Sequence, residues 1–552
     1  MTDFYAEHRE TLDRALETIR TRTYWSPYPE HPKAYGEDAP GEGRAAFEAR
    51  LGAPFALDQP ASGGMLVPDE ASPYGLELGI TYPRAGVDEL VAAAETAMGP
   101  WAKATPEVRA GVLLELLARL AARSFEMAEA VMHTTGQSFL MAFQAGGPHA
   151  LDRGLEALAY AYREQTSVPR SVIWEKPQGK RPPLVVSKEW RIRPRGVAVT
   201  IGVSTFPTWN GYPGIFASLA TGNPVIVKPH PATILPLAIF VEIAREVLAE
   251  AGFDPNLVTL AVDTRAEPIT RELVLHPAVG IVDYTGGPEF GRWLEEHVRH
   301  AAVFTEKAGV NSVIVDSAED LGAVFRNLSV STTMYSGQMC TSPQDVFVPA
   351  DGVRVGDEVV AFEAVARGLA DAIAGLLADD ARACEILGAI KDPEAVAARI
   401  EAAAAAGEVL LESREITHPA FPEATVRTPV VVAVDAADRD AYAREFFGPV
   451  VLVVRTASTD ESIERARAAA LDEGAITWLA YTTDPAVEQR IVEAAVDAGV
   501  GVAFNLTGGL FVNQSAAFSD FHVTGANPAG NASLTDTAFV ANRFRFVGIR
   551  RQ

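Results

Sequence analysis

Short apolar strands alternate with helical segments between Val197 and Tyr284, and this alternation limits the possible folds more than any other feature. The strands lie at residues 197–201, 225–228, 258–261 and 281–284. Strands that are separated by helices run parallel in one sheet, with helices covering both of its faces. The sequence therefore predicts an α/β fold with a doubly wound parallel sheet.

The same alternation returns in the second half of the chain. Ala-rich helical patterns at 359–377 and 395–406 are followed by apolar strands at 430–432 and 450–454. A chain of 552 residues is too long for one hydrophobic core, so we expect a second α/β domain here. After Phe504 no further helix is expected.

Other segments of the chain have simpler patterns. Residues 168–192 alternate as a long β-hairpin does, and 544–549 alternate as a strand. Helical periodicity covers 87–135, with a break expected at Pro100 and Trp101, and returns at 148–164.

Charge and cysteine usage exclude several classes of protein. Acidic residues outnumber basic ones 72 to 47, which argues against a nucleic-acid partner and against an anionic membrane surface. The charge-free stretch 196–227 contains three prolines and is interpreted as buried core, not as a membrane span. Two cysteines and no apolar leader at the N-terminus predict a cytoplasmic protein.

Cys340 and the upstream Glu306 form the pair that points to chemistry. A thiol nucleophile and a carboxylate that prepares a water molecule are the two groups needed to oxidise an aldehyde through a thioester. Cys340 lies in a polar turn whose backbone N–H groups are expected to lower its pKa. Glu306, taken alone, could equally form a surface ion pair with Lys307. Cys384 lies in a helical pattern and is interpreted as a small core residue.

A glycine turn after the strand at 281–284 is the candidate cofactor site. The sequence has no Gly-x-Gly-x-x-Gly, but Gly286, Gly287 and Gly291 lie between this strand and a predicted helix. Backbone N–H groups at such a turn can bind a pyrophosphate. No metal site is expected.

Together these segments resemble the aldehyde dehydrogenase superfamily. The resemblance rests on Gly-Gln-x-Cys at Cys340, Glu-x-x-Gly at Glu306, the glycine loop 286–291 and Glu-x-Phe-Gly-Pro at 445–449. It implies that Cys340 is the nucleophile and Glu306 the base. It also implies that Glu445 binds the nicotinamide ribose and that Phe447 packs beside the ring, with NAD or NADP as the cofactor.

The segment around Lys228 resembles the part of that superfamily that holds the adenine ribose. Pro231 stands where the NAD-preferring pattern has a Glu, and Lys228 and His230 add positive charge. The resemblance therefore favours NADP over NAD.

The oxyanion donor departs from the superfamily pattern. Thr205 occupies the place of the usual Asn, and Asn210 follows about one helical turn later. The sequence leaves both residues as candidates for the side-chain donor.

Segments outside these motifs resemble the PaaN-type branch of phenylacetic acid degradation proteins, namely the N-terminal 80 residues, 205–213, 228–231 and 518–528. This resemblance implies a semialdehyde substrate carried as a coenzyme A thioester, 3-oxo-5,6-dehydrosuberyl-CoA semialdehyde. The superfamily implies a homodimer or homotetramer formed through the hairpin and the C-terminal strand.

The implied domains follow the order of these segments. They are an N-terminal helical extension with the first part of the cofactor-binding domain (1–167), an oligomerisation hairpin (168–192), the cofactor-binding domain (193–308), the catalytic domain (309–512) and a C-terminal tail with an oligomerisation strand (513–552).

Two alternative functions stay open. A coenzyme-A-acylating dehydrogenase would pass the acyl group to free coenzyme A instead of water, and Glu306 argues against it. A non-catalytic binding member of the fold is the second alternative, and the intact pair of Cys340 and Glu306 argues against that. Four aromatic residues could line the aldehyde pocket or belong to the core: Trp209, Tyr335, Phe511 and Phe518.

Overall fold

Two parallel sheets form the frame of the protein, and the computed structural model describes residues 3–307, 309–519 and 537–552. The first sheet has the strand order β7-β6-β5-β8-β9, and all its strands run parallel. Its strands and helices are β5 (Val197–Ile201), α8 (Pro207–Ala220), β6 (Val225–Lys228), α9 (Leu235–Glu250), β7 (Val258–Leu260), α10 (Thr270–Leu275), β8 (Val279–Thr285), α11 (Pro288–His297) and β9 (Ala302–Glu306). The predicted doubly wound parallel sheet is confirmed, and the charge-free stretch forms its buried centre.

The second sheet has seven strands in the order β15-β18-β19-β12-β10-β20-β21. Only the edge strand β15 runs antiparallel. Strands β11, β13 and β14 form a separate small sheet, and β16 pairs with β17 in another. The helices and strands of this half of the chain are β10 (Asn311–Val315), β11 (Ser317–Ala318), α12 (Leu321–Thr333), β12 (Pro343–Pro349), β13 (Val353–Val355), β14 (Glu358–Val360), α13 (Phe362–Leu376), α14 (Asp380–Leu387), α15 (Pro393–Ala404), β15 (Glu408–Leu411), β16 (Glu415–Ile416), β17 (Val426–Arg427), β18 (Val430–Asp435), α16 (Arg439–Tyr442), β19 (Val450–Thr456), α17 (Thr459–Glu473), β20 (Thr477–Tyr481), α18 (Pro485–Ala498) and β21 (Gly501–Phe504). The predicted second α/β unit is therefore present, and Cys384 lies buried in α14 as expected.

The N-terminal region is mainly helical and packs on the first sheet. It comprises α1 (Phe4–Thr21), α2 (Ala39–Glu48), β1 (Met65–Leu66), β2 (Tyr82–Pro83), α3 (Val87–Lys103), α4 (Pro106–Ala122), α5 (Ser124–Thr135), α6 (Phe139–Gly146) and α7 (Pro148–Thr166). Arg50 joins this region to the sheet, because its guanidinium lies 2.7 Å from Glu126 on α5 and 2.7 Å from Glu242 on α9.

The predicted helix break at Pro100 and Trp101 is wrong. Helix α3 runs through both residues and ends at Lys103. Pro100 lacks the backbone N–H that would donate to the carbonyl oxygen of Thr96, but the loss of this one hydrogen bond does not end the helix. The connection to α4 comes at Ala104 and Thr105.

The hairpin and the C-terminal strand form a third, antiparallel sheet. Strands β3 (Ser171–Gln178), β4 (Arg181–Pro194) and β22 (Phe544–Arg551) pair in the order β22-β4-β3. A short helix, α19 (Ala538–Ala541), precedes β22, although no helix was expected after Phe504. Most of the resemblance segment 518–528 lies outside the described residues.

A buried ion pair fastens this C-terminal part to the first sheet. The guanidinium of Arg543 lies 2.5 Å from the carboxylate of Asp283 on β8 and stacks on the rings of Phe304 and Phe539. Among the described residues, no helix is both long and apolar enough to cross a bilayer.

Candidate active site

Cys340 follows a strained turn at the end of α12. Tyr335, Ser336 and Gly337 have φ values of 51°, 52° and 65°, so three consecutive residues adopt the left-handed conformation that L side chains rarely take. A Cβ on Gly337 would lie 2.3 Å from the carbonyl oxygen of Gly448, so only glycine fits there. The turn brings the nucleophile segment against the segment that carries Glu445.

Two amide side chains hold the loop that carries the sulfur. Asn311 Nδ2 donates to the carbonyl oxygens of Cys340 at 2.7 Å and Ser342 at 3.2 Å. Gln338 Oε1 accepts from the backbone N–H of Lys391 at 2.9 Å. These contacts explain why a Gln is needed in the Gly-Gln-x-Cys segment. No sequence motif pointed to Asn311.

Glu306 is the last residue of β9, and the fold places it beside Cys340. Its residue exposure is 3%, and its carboxylate accepts a hydrogen bond from the Cys340 thiol. A Cβ on Gly309 would lie 2.2 Å from the carbonyl oxygen of Cys340, which explains the glycine of Glu-x-x-Gly. The structure thus brings the predicted pair together, and the alternative partner Lys307 pairs instead with Glu295 at 2.5 Å.

The pKa of Cys340 differs from the expectation. Burial raises it well above its ordinary value, and the charges of Glu306 and Glu445 raise it further. Its own backbone N–H lowers the pKa, but by less. The thiol is therefore protonated at neutral pH in the resting protein, and the expected lowering is wrong for this state.

The two candidates for the oxyanion donor lie in different surroundings. Asn210, on α8, directs Nδ2 to Glu306 Oε1 at a distance of 3.3 Å. Thr205 lies in the loop before α8, and its carbonyl oxygen accepts from Gln137 Nε2 at 2.7 Å. Both residues line the groove that also contains Cys340.

The predicted phosphate loop connects β8 to α11. A Cβ on Gly286 would lie 2.5 Å from the hydroxyl of Tyr284, so the turn needs glycine there. Gly287 caps α11 and is open on its Cβ side, which leaves room for a phosphate at the helix N-terminus. At Gly291 a Cβ would lie 2.9 Å from Lys307, so this glycine allows close packing of α11 and is not among the residues that line the groove.

Glu445 is a half-buried carboxylate that lines the same groove near Cys340. Burial raises the pKa of Glu445 to about 7, although Arg399 and the N–H of Gly309 oppose this shift. Gln344 holds the segment, because its Oε1 accepts from the N–H of Phe446 at 3.0 Å. Phe447 has a φ of 42° and lines the same groove.

The charge expected at Lys228 and His230 is largely cancelled. Lys228 Nζ lies 2.7 Å from the carboxylate of Asp263, and both side chains are buried. Burial and neighbouring cations lower the pKa of His230 to about 4, so this imidazole is neutral at pH 7. The expectation that these two residues supply free positive charge is therefore wrong. The sequence gives no sign that Asp263 pairs with Lys228.

Most of the candidate residues line one groove of about 870 Å³, which we call the large groove. It contains both oxyanion candidates, the candidate nucleophile and base, and most of the predicted cofactor residues: Thr205, Asn210, Lys228, His230, Gly286, Gly287, Glu306, Cys340, Glu445 and Phe447. The groove fits an extended dinucleotide. The N-terminus of α11 at Gly287 could bind the pyrophosphate, and the carboxylate of Glu445 near Cys340 could bind a ribose.

A second cavity of about 280 Å³, which we call the small cavity, also reaches Cys340. Its wall includes Trp209 and Phe511, as considered from the sequence, together with Met141, Arg153 and Phe206. Tyr335 is fully buried in the core, and Phe518 is buried outside this wall. Glu30 also lines this cavity, so the N-terminal region forms part of its wall.

Comparison with known proteins gives one family. The model of the aldehyde dehydrogenase family matches residues 80–504. An N-succinylglutamate 5-semialdehyde dehydrogenase of Burkholderia ambifaria is 28% identical over 397 residues, which are 69% of this chain and 74% of that protein.

Solved structures give the same result. A crystal structure described as an NAD-dependent aldehyde dehydrogenase from Burkholderia multivorans is 53% identical, with a TM-score of 0.96 over 100% of this chain and 99% of that one. A 1-pyrroline-5-carboxylate dehydrogenase from Thermus with bound NAD is 19% identical, with a TM-score of 0.72 over 96% and 99% of the two chains. This second match supports the fold alone.

Proposed function

The chain belongs to the aldehyde dehydrogenase family, and from this premise we propose that it oxidises a semialdehyde to the acid through a thioester on Cys340. The enzyme is an NAD(P)-dependent aldehyde dehydrogenase. The observation that carries the proposed roles is the hydrogen bond between the Cys340 thiol and the Glu306 carboxylate, in the groove that fits the dinucleotide.

The first half of the reaction uses three side chains. Glu306 accepts the thiol proton, and the sulfur of Cys340 adds to the aldehyde carbon. The amide of Asn210 and the N–H of Cys340 donate to the resulting oxyanion. A nicotinamide held by Glu445 and Phe447 would supply the hydride acceptor, and loss of the hydride converts the carbon on the sulfur of Cys340 into a thioester.

The second half uses the same carboxylate. Glu306 first releases the thiol proton to solvent. It then removes a proton from water, and the oxygen of this water adds to the thioester carbon. The carbon–sulfur bond then breaks, the acid leaves, and the sulfur of Cys340 recovers a proton. The position of the Glu306 carboxylate next to the sulfur supports hydrolysis over acyl transfer to free coenzyme A, because a base is at hand to activate water.

Residues on the large groove support cofactor binding. Gly287 would hold the pyrophosphate at the N-terminus of α11, and Glu445 would accept hydrogen bonds from the nicotinamide ribose. The preference for NADP stays a prediction. It now rests on the absence of a carboxylate at Pro231, because Lys228 is paired and His230 is neutral. The Burkholderia multivorans structure is described as NAD-dependent.

The substrate is predicted only as a class. The coenzyme-A-linked semialdehyde of phenylacetate degradation was predicted from sequence segments, whereas the curated relative is named for N-succinylglutamate 5-semialdehyde. Both compounds carry a second acyl function away from the aldehyde. We therefore propose a semialdehyde, with the thioester and the free acid as its two forms.

Assembly and location also stay predictions. A homodimer or homotetramer is supported by exposed apolar residues on β3 and β4: Val172, Ile173, Trp174, Leu184 and Val185. The cytoplasmic location and the domain boundaries at 167, 192, 308 and 512 are also proposals, and they rest on the sequence alone.

The test is a panel of aldehydes assayed with NAD and with NADP, in the presence and absence of coenzyme A. Cys340→Ala is expected to abolish reduction of the cofactor with every aldehyde, whereas Cys384→Ala retains it. Turnover by Cys340→Ala would end the proposal. A requirement for coenzyme A would support the acylating alternative, and cofactor binding without turnover by the wild type would support a binding protein.

A further inference from the structure

Arg153 places a positive charge in the wall of the small cavity. It lies on α7 and is 7% exposed, and its guanidinium carbon is 4.6 Å from the ring centre of Trp209. The indole of Trp209 is in turn held by a 2.9 Å hydrogen bond from Nε1 to Ser515 Oγ. The cavity that Arg153 lines also contains Cys340.

The guanidinium has donors without acceptors. Nε and Nη2 of Arg153 are buried and have no hydrogen-bond partner within the described part of the chain. Buried arginines are normally paired, since an unpaired donor loses its bonds to water without replacement. Stacking on Trp209 satisfies the face of the guanidinium but none of its N–H groups.

Nearby acidic groups do not take this role. Burial raises the pKa of Asp152 well above its usual range, and its Oδ1 accepts from Ser26 Oγ at 2.7 Å. Glu30 lies 3.3 Å from His149. Glu156 Oε1 accepts from the N–H of Phe518 at 2.7 Å. Each of these carboxyl groups has a contact of its own, and none of them forms an ion pair with Arg153.

We infer that Arg153 binds a carboxylate at the far end of the substrate, so that the enzyme acts on free ω-acid semialdehydes. This inference rests on the proposed function, because it places the aldehyde at Cys340. A carboxylate accepts two parallel N–H bonds from one guanidinium, which is the pairing that Nε and Nη2 offer. A thioester has no charge and offers one carbonyl oxygen, so it meets this need less well.

The size of the cavity agrees with a short chain. A volume of about 280 Å³ lies just below the usual range of small-molecule sites, about 300–1,000 Å³. Met141, Phe206 and Phe511 supply apolar surface for methylene groups between the two ends of the substrate.

The first experiment compares glutaric semialdehyde with pentanal in the wild-type enzyme. We expect kcat/KM to be about 10- to 100-fold higher for glutaric semialdehyde, because pentanal cannot form the charge-assisted hydrogen bonds to Arg153. Arg153→Met should lower the ratio of the two kcat/KM values by a similar factor. Arg153→Lys should retain part of it, since the charge remains but the two-pronged geometry is lost.

Arg163→Met is the matched control. Arg163 lies on the same helix, is partly exposed and pairs with Glu164 at 2.9 Å, so its loss removes one charge away from the cavity. The ratio should not change in this variant. The comparison of the two aldehydes in the wild type needs no variant, so it stands even if Arg153→Met does not fold.

The second experiment measures binding without turnover. Calorimetry with glutarate and with its diamide, which has no carboxylate, should give tighter binding of glutarate to the wild type, and this difference should disappear in Arg153→Met. If glutarate binds in this way but no aldehyde is oxidised, the inference survives and the proposed function fails. If aldehydes are oxidised without preference for the acid, the inference is overturned and the proposed function stands.

Two further outcomes would also overturn the inference. One is a preference for an aminoaldehyde, which would mean that the acidic residues of the cavity wall, and not Arg153, bind the far end of the substrate. The other is a preference for a coenzyme A thioester that Arg153→Met does not alter.

Discussion

The side-chain amide of Asn210 lies 3.3 Å from the carboxylate of Glu306, so a hydrogen-bond donor and a base occupy one corner of the large groove. In the resting protein the amide donates to the carboxylate. An oxyanion formed at Cys340 would compete for the same N–H group, which would leave the carboxylate available to accept a proton from water.

Asn210→Ala is therefore expected to lower kcat by about 100- to 1,000-fold, as removal of an oxyanion donor does in other enzymes. Thr205→Ala should have a smaller effect, because the hydrogen bond of Thr205 is made by its backbone carbonyl oxygen, which the substitution keeps. Steady-state kinetics with one aldehyde decides between the two. A larger loss in Thr205→Ala would assign the donor to the threonine hydroxyl.

Glu306→Gln should stop the reaction after the thioester. The variant is expected to give a burst of reduced cofactor close to one equivalent of enzyme, followed by slow turnover, because the water lacks its base. Stopped-flow absorbance measures the burst. Glu296→Gln, which changes an exposed acid on α11, should turn over as the wild type does. Normal steady-state turnover by Glu306→Gln would remove Glu306 from its role.

The same substitution should make the thiol more acidic. Glu306 raises the pKa of Cys340 through its charge and its hydrogen bond, so a neutral Gln removes the first of these and lowers the pKa. At a fixed pH below the pKa, more thiolate is present and alkylation by iodoacetamide is faster. The pH profile of alkylation in a Cys384→Ala background should shift to lower pH, and an unchanged profile would contradict the electrostatic coupling.

Cofactor preference is tested at Pro231. A Glu at this position would repel the 2′-phosphate, so Pro231→Glu should lower kcat/KM for NADP by about 10-fold and leave NAD less affected. Pro231→Gln is the matched neutral control. Equal losses for both cofactors would mean that this position does not face the adenine ribose.

The ion pair between Arg543 and Asp283 should stabilise the fold strongly. Arg543→Met leaves the Asp283 carboxylate buried without its partner, which costs about 3–5 kcal/mol in the free energy of unfolding. Arg545→Met changes an exposed neighbour and should cost no more than about 0.5 kcal/mol. Urea denaturation measures both. A loss as small as that of Arg545→Met would show that Asp283 finds water or another donor.

Local patterns were sufficient for the strands, the hairpin and the pairing of Cys340 with Glu306. Each of these signals lies in a short segment of the chain. The order of the strands and helices then determines which strand ends, and which side chains at those ends, lie close together. The error at Pro100 arose because a proline removes one helical hydrogen bond without always ending the helix.

Contacts between distant segments could not be predicted in this way. Asp263 cancels the charge of Lys228 from the loop after a neighbouring strand, and Asn311 holds the Cys340 loop from the strand beside it. Arg153 lies in an ordinary amphipathic helix, and only the packing of that helix against Trp209 makes it part of a cavity. The pKa of Cys340 likewise depends on burial, which turn chemistry alone does not reveal.

Cys340 and Phe206 belong to the walls of both the small cavity and the large groove. An aldehyde in the small cavity and a dinucleotide in the large groove would therefore lie on opposite sides of these two residues. An inhibitor that fills the small cavity alone should then leave the dissociation constant of the dinucleotide unchanged.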